Sequence, residues 1–528
     1  MNSRRKNILH VKSCTESIRF LGYKPCFAPT VYTGYHKYFI TINKMSSKRI
    51  YGIDFGKGLA IAGMLLAHTF EGGVCNWEND IELKYVNMIP SVVIIIGAPI
   101  MLICLMGLFF TYLTSMTCTM SMLRIEKKGE KYVMSYLIYR LAFAFVLKGV
   151  ELVMSTWWSQ YGVFDKMEIS WPVAAVDKEG GTLDSVGVCG FLVPLLVHLV
   201  RKMPYIKETV FRQVGFLTTL ASILLFFYES IADFALAASG WCFKYDFNFL
   251  GMLFSKIATG PFMLAQCVPF GIIGGALSLL MVHYKDWKYL WRYAVIIISE
   301  AFILTIVFFL TNAHPFEAIL SERKPYFVRF LELCFETFAC VLVSYFTDNE
   351  NRPLVQRYHL NKNLTFFRKL SVVSLSAFIF ELWVSKQVRK VFNIFVGPSY
   401  DATTREVYWN LWTVVIFMIV NYALDLWIIM LWEKINFNFS CEHLIANILS
   451  YIFGKKEEVN WKESNDKVIY GPNKELEAEI LLNSKVSDKL KGKDGSDSSA
   501  PVESHSQTTS EIEMTSSFIE VQVDLDKQ

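Results

Sequence analysis

The chain has 528 residues, 53% of them hydrophobic and 15% aromatic, with a mean hydropathy of +0.33. This excludes an ordinary soluble domain, because apolar stretches of about 20 residues, enough to cross a bilayer, recur along it. The net charge of +4 is too small to argue for nucleic acid or a strongly anionic partner.

In chain order, residues 1–48 are basic and hold no long apolar run, so they read as a largely disordered extension without a signal peptide. Met45, in Met-Ser-Ser-Lys-Arg, would serve as a start just before the first span. Hydrophobic spans are predicted at 52–70, 88–122, 135–156, 183–200, 213–236, 250–283, 293–311, 327–347, 369–386 and 408–432. The expected fold class is therefore all-α, a polytopic transmembrane helix bundle of about 10 helices filling residues 49–453. Pro90, Pro99, Pro261 and Pro269 lie within or beside the two longest spans and predict kinks there.

Lysine and arginine set the orientation. The loops 123–134, 201–212, 284–292 and 348–368 are basic, whereas 71–87 carries only Lys84 and 237–249 only Lys244. Both termini are thus expected on the cytoplasmic side of a multi-pass protein, in a plasma membrane or endomembrane. Phe437 to Phe453 reads as an interfacial amphipathic helix. Residues 454–528 are polar and Ser/Thr-rich, and read as a disordered cytoplasmic tail.

Cys104, Cys118, Cys189, Cys267, Cys334 and Cys340 fall in hydrophobic stretches and behave as small apolar residues. No CxxC pair or Cys/His cluster occurs, so no metal site is expected. Cys75 and Cys242 fall in loops on one side and are candidates for pairing.

Ionisable residues inside spans are costly and point to a wet interior or a partner. They include Asp54, Lys57, His68, Arg140, Lys148, Glu151, Asp184, Glu229, Asp233, Lys256, Glu300, Glu332, Glu336, Glu381 and Asp425. Helical spacing allows Asp54 to pair with Lys57, and Lys148 with Glu151, and puts Glu332 and Glu336 on one face. His68 has two readings, an interfacial residue hydrogen-bonded to a loop or a general base. Gly271 and Gly275 carry the spacing of close helix packing, internal or between the subunits of a homodimer. Trp157, Trp158 and Trp171 read as an aromatic belt, with saccharide stacking as the secondary role.

Asp54-x-x-Lys57-Gly58-x-Ala60, with His68 fourteen residues after the aspartate, resembles the first-helix signature of integral-membrane acyltransferases. These are acyltransferase family 3, the heparan-α-glucosaminide N-acetyltransferase family and their bacterial relatives. Echoes follow in the same order: Tyr139-Arg140, the helix from Pro269 through Gly275, Ser371-Val-Val-Ser-Leu-Ser, and Asn438 through Glu442. Lys57 stands where the family has arginine, Arg140 where it has two, and the Gly-Pro before Glu442 is missing.

The resemblance implies transfer of an acyl group, expected to be acetyl, from cytoplasmic acyl-CoA to a hydroxyl or amine of a saccharide or other small acceptor. It makes His68 the base, with Asp54, Lys57, Arg140 and Glu442 as entrance or structural support. Acyl-CoA enters as a co-substrate, with no tightly bound cofactor. Arg124, Lys127, Lys128 and Arg140 could attract its phosphates, although positive-inside bias accounts for the same basic loop. The alternatives are a proton-coupled transporter relaying protons through buried carboxylates, and an inactive scaffold.

Overall fold

A computed structural model of the chain describes residues 50–76, 78–90, 106–151, 181–284, 286–312, 324–453 and 460–493. The expected N-terminal extension and the three tryptophans at 157, 158 and 171 lie outside the described residues. Within them the architecture is helical, and the only β feature is an isolated bridge between Tyr400 and Val407.

The first helix, α1 (Tyr51–His68), continues into a π-helical turn over Thr69–Val74. A short α2 (Asn79–Asn87) follows, then α3 (Phe109–Glu126), α4 (Glu130–Glu151) and α5 (Thr182–Lys202). Next come α6 (Val210–Phe226), α7 (Tyr228–Lys244), α8 (Asn248–Ala258), α9 (Leu264–His283), α10 (Trp287–Thr311) and α11 (Tyr326–Asp348). Two short helices, α12 (Leu354–Asn363) and α13 (Thr365–Val372), lead into α14 (Ser374–Val396) and α15 (Leu411–Lys434). The chain closes with α16 (Cys441–Ile452), α17 (Trp461–Ile469) and α18 (Gly471–Lys493).

Five of these helices, α4, α5, α9, α10 and α15, are long and apolar enough to cross a membrane. The pair α6–α7, bent by 64°, makes a sixth. The remaining predicted spans are interrupted or diluted by charge. The stretch 250–283 divides into α8 and α9 at Gly260-Pro261, where Gly260 takes φ +90° and the proline has no N–H to continue a helix. Pro269, by contrast, sits inside an unbroken α9. The stretch 369–386 divides at Val373, and 88–122 runs through residues outside the described set before entering α3. The helix α11 carries Arg329, Glu332 and Glu336, all buried.

The mostly buried α9 is the central packing element, lying against α3, α5 and α6. A Cβ on Gly274 would stand 2.5 Å from the Tyr112 carbonyl oxygen, and one on Gly275 2.7 Å from Val193. Gly271 makes a similar approach to Ser115. The Gly271/Gly275 pair thus serves packing within this chain, and a homodimer cannot use the same atoms. Around this centre, α10 packs on α11, α7 on α8, and α1 on α13 and α11.

Outward faces carry large apolar side chains, such as Ile296, Phe302, Ile303 and Leu310 on α10 and Trp412, Ile416 and Ile419 on α15. Such a surface is unfavourable in water and suits hydrocarbon.

Two expectations change. Residues 461–469 and 471–493, assigned to the disordered tail, form α17 and α18 and pack back on the body. Arg368 explains why: fully buried, it donates to the carbonyl of Ile469 at 3.0 Å and to Asn473 Oδ1 at 3.1 Å. Residues 494–528 of the expected tail lie outside the described set. Cys75 and Cys242 are free thiols, not a disulfide: Cys75 packs with Ile81, Tyr85 and Trp409, while Cys242 lies in α7.

Candidate functional site

The first helix positions the site through its glycines. A Cβ on Gly58 would lie 1.8 Å from the Phe367 carbonyl oxygen, so α1 and α13 touch backbone to backbone. A Cβ on Gly52 would lie 2.6 Å from Ser344 Cα in α11. Asp348, the last residue of α11, accepts from the amides of Tyr51 at 2.8 Å and Gly52 at 2.9 Å. A carboxylate there satisfies two of the orphan donors that open α1.

Lys57, Ile61, Met64 and His68 are spaced four, three and four residues apart and share one face of α1. The first three line a cavity of about 300 Å³. Its other walls come from α3 (Phe110, Thr114, Thr117), α4 (Tyr139, Arg140, Phe143, Leu147), α5 (Leu183, Val186), the α13–α14 junction (Ser371, Ser374, Phe378) and α16 (Glu442, Ile445, Leu449). Most of this lining is apolar, and the cations Lys57 and Arg140 stand on it.

Arg140 donates to the carbonyl of Gly190 at 3.3 Å and lies over the Phe143 ring, 4.4 Å from its centroid. Gly190 leaves room for this, since a Cβ there would sit 2.6 Å from the guanidinium. Glu442 accepts from the amides of Leu375 at 2.7 Å and Ser376 at 3.2 Å, and from Ser376 Oγ at 2.5 Å. The carboxylate therefore caps the start of α14 while bordering the cavity, a structural role that the sequence reading allowed.

His68 lies beyond the cavity, eleven residues from Lys57, or roughly 16 Å along the helix. Its Nδ1 pairs with Glu381 Oε1 on α14. A carboxylate against Nδ1 holds the ring in place and favours its protonated form. Next to this pair, Asn421 Nδ2 donates to Thr69 Oγ1 at 2.8 Å, Ser385 Oγ at 2.9 Å and Asp425 Oδ2 at 3.2 Å. Asn421, Asp425, Ser385 and Glu381 are all buried. The π-helical turn begins at the next residue, Thr69, and such turns often occur at functional sites.

Of the sequence-predicted residues, the cavity brings together Lys57, Arg140 and Glu442, positions 385 apart in the chain at their extremes. Asp54 is buried one turn before Lys57 and does not line the cavity. Arg124, Lys127 and Lys128 do not line it either: they sit at the far end of α3, with Lys127 and Lys128 exposed. Arg140, on α4, is the member of that expected phosphate-attracting set that lines the cavity.

Lys148 meets Asp184 at 3.1 Å, and Lys256 joins the same carboxylate at 2.5 Å. The side chain of Glu151 lies outside the described residues. Arg329, which the sequence reading passed over, holds Glu332 at 2.7 Å and Gln266 at 2.5 Å. Among the described residues no cluster of three or more His, Cys, Asp or Glu could hold a metal ion.

Phe378 was also missed. Its signal lies in the Ser374, Phe378, Glu381, Ser385 spacing, legible only once α14 is known to face α1. Compared with known proteins, the chain matches no family model and no curated sequence.

Proposed function

We propose that the chain is an integral-membrane acyltransferase, multi-pass with about ten crossings and cytoplasmic termini, taking an acyl group from cytoplasmic acyl-CoA to a hydroxyl or amine. One observation carries this reading: Lys57, Arg140, Ser371 and Glu442, four widely spaced positions of the motif resemblance, border a single cavity. At about 300 Å³, that cavity accommodates the acyl end and arm of the donor and leaves the nucleotide outside. Lys57 and Arg140 on its wall supply cations suited to the pyrophosphate where the arm joins the nucleotide. His68, oriented by Glu381, removes the proton of the acceptor nucleophile.

The test is acyl transfer by purified protein bearing His68→Gln, which keeps an N–H donor for Glu381. Transfer should fall by about 10²–10⁴-fold, with yield and thermal midpoint retained. A wild-type rate from this variant would remove His68 from the chemistry.

A second reading, proton-coupled transport, is favoured by Glu336. It is fully buried, and neither of its carboxylate oxygens has a hydrogen-bond partner among the described residues. Proton-driven solute movement in vesicles free of acyl-CoA would favour that reading.

A further inference from the structure

Phe378 lines the cavity and also neighbours His68. On α1 the lining residues Lys57, Ile61 and Met64 are followed on the same face by His68. On α14 Ser374 and Phe378 line the cavity, and Glu381 and Ser385 follow on their face. The two faces run side by side, because Glu381 pairs with His68.

Phe378 is half-buried and borders both compartments: it lines the cavity, and its ring centroid lies 6.0 Å from that of His68. Beyond it the groups are polar and buried, namely Glu381, Ser385, Asn421 and Asp425. An apolar ring at the junction of an amphiphile-sized cavity and a buried polar cluster is placed where it would hinder water passing from one to the other.

We infer that Phe378 is a gate and positioning residue, separating the donor cavity from the His68–Glu381 cluster so that the acyl group goes to the acceptor and not to water. This rests on the acyltransferase reading above. In transfer, the acceptor oxygen or nitrogen bonds the thioester carbon and the carbon–sulfur bond breaks. The acceptor's proton passes by way of His68 to the leaving thiolate. Water in the acceptor's place makes the same exchange and yields the free acid. The gate suppresses that second outcome without touching the reacting atoms.

Two measurements on the full-length protein test it. Phe378→Ala should raise acceptor-free hydrolysis of acetyl-CoA at least about tenfold, and lower the ratio of transfer to hydrolysis. Phe378→Tyr, which keeps the ring, should restore the wild-type ratio. Independently of catalysis, His68→Cys should react with a small maleimide at least about tenfold faster when combined with Phe378→Ala, the labelled peptide being identified by mass spectrometry. Unchanged labelling together with unchanged hydrolysis would overturn the gate. Gated labelling in a protein whose wild type never turns over acyl-CoA would sink the acyltransferase reading and leave the barrier standing.

Discussion

His68 and Glu381 are 313 positions apart, and each is an unremarkable residue in its own stretch of sequence. What joins them is the contact of α1 with α14, which sets the carboxylate against Nδ1 of the imidazole. Glu381→Gln removes the charge that orients and stabilises the protonated ring. On the proposed acyltransferase function, transfer should therefore lose about two orders of magnitude or more in kcat. The KM for acyl-CoA should stay near wild type, because Lys57 and Arg140 on the cavity wall are untouched. A variant that changes KM alone would assign Glu381 to binding. At this scale the sequence named His68, Lys57, Arg140 and Glu442 through motif spacing. Glu381 stands out there only as one of many ionisable residues within spans, and the sequence had no means of assigning its partner.

Helix placement depends on small residues and on breaks. In the Gly58–Phe367 contact a methyl group has no space, since the atom it would strike is a backbone carbonyl. Gly58→Ala should thus force α1 away from α13, costing about 1–3 kcal/mol or more, read as a lower thermal midpoint and reduced folded yield. A variant of wild-type midpoint would show that the two helices can separate freely. The Asp54-x-x-Lys57-Gly58 motif is therefore partly a packing motif: the glycine sets the distance at which Lys57 reaches the cavity wall. The breaks were only partly legible. Gly260-Pro261 announces itself in sequence, whereas the bend at Phe227 and the division at Val373 have no proline or glycine at the junction.

Over the whole molecule, the C-terminal helices are the largest departure from the sequence expectation. Besides Arg368, the contact uses Tyr470, which donates to Glu433 at 2.5 Å, and Lys369, which pairs with Glu433 at 2.8 Å. Tyr51 at the head of α1 donates to Glu475 in α18. The first helix, the α13 segment and the end of α15 are thereby tied to one C-terminal unit. Arg368→Ala removes the hub of this contact, and hydrogen bonds to a charged group are worth about 1.5–3 kcal/mol. Hydrogen exchange over residues 461–493 should accelerate while α9 keeps its protection. Unchanged exchange there would mean that the two helices are held by other contacts.

Composition and hydropathy by themselves determined that the chain is helical and carries apolar spans, because burying a backbone in hydrocarbon leaves few other solutions. Motif spacing determined which residues on α1 deserve a chemical reading. Only the tertiary structure decided that Lys57, Arg140 and Glu442 share a cavity, that His68 pairs with Glu381 and neighbours Phe378, and that part of a polar tail is folded. The reason is physical. Hydrophobic periodicity records which face of a helix is apolar, a property of neighbouring residues. Partnership across helices is set by packing, and here a glycine without a Cβ and a buried arginine seeking carbonyl oxygens supply it from far along the chain.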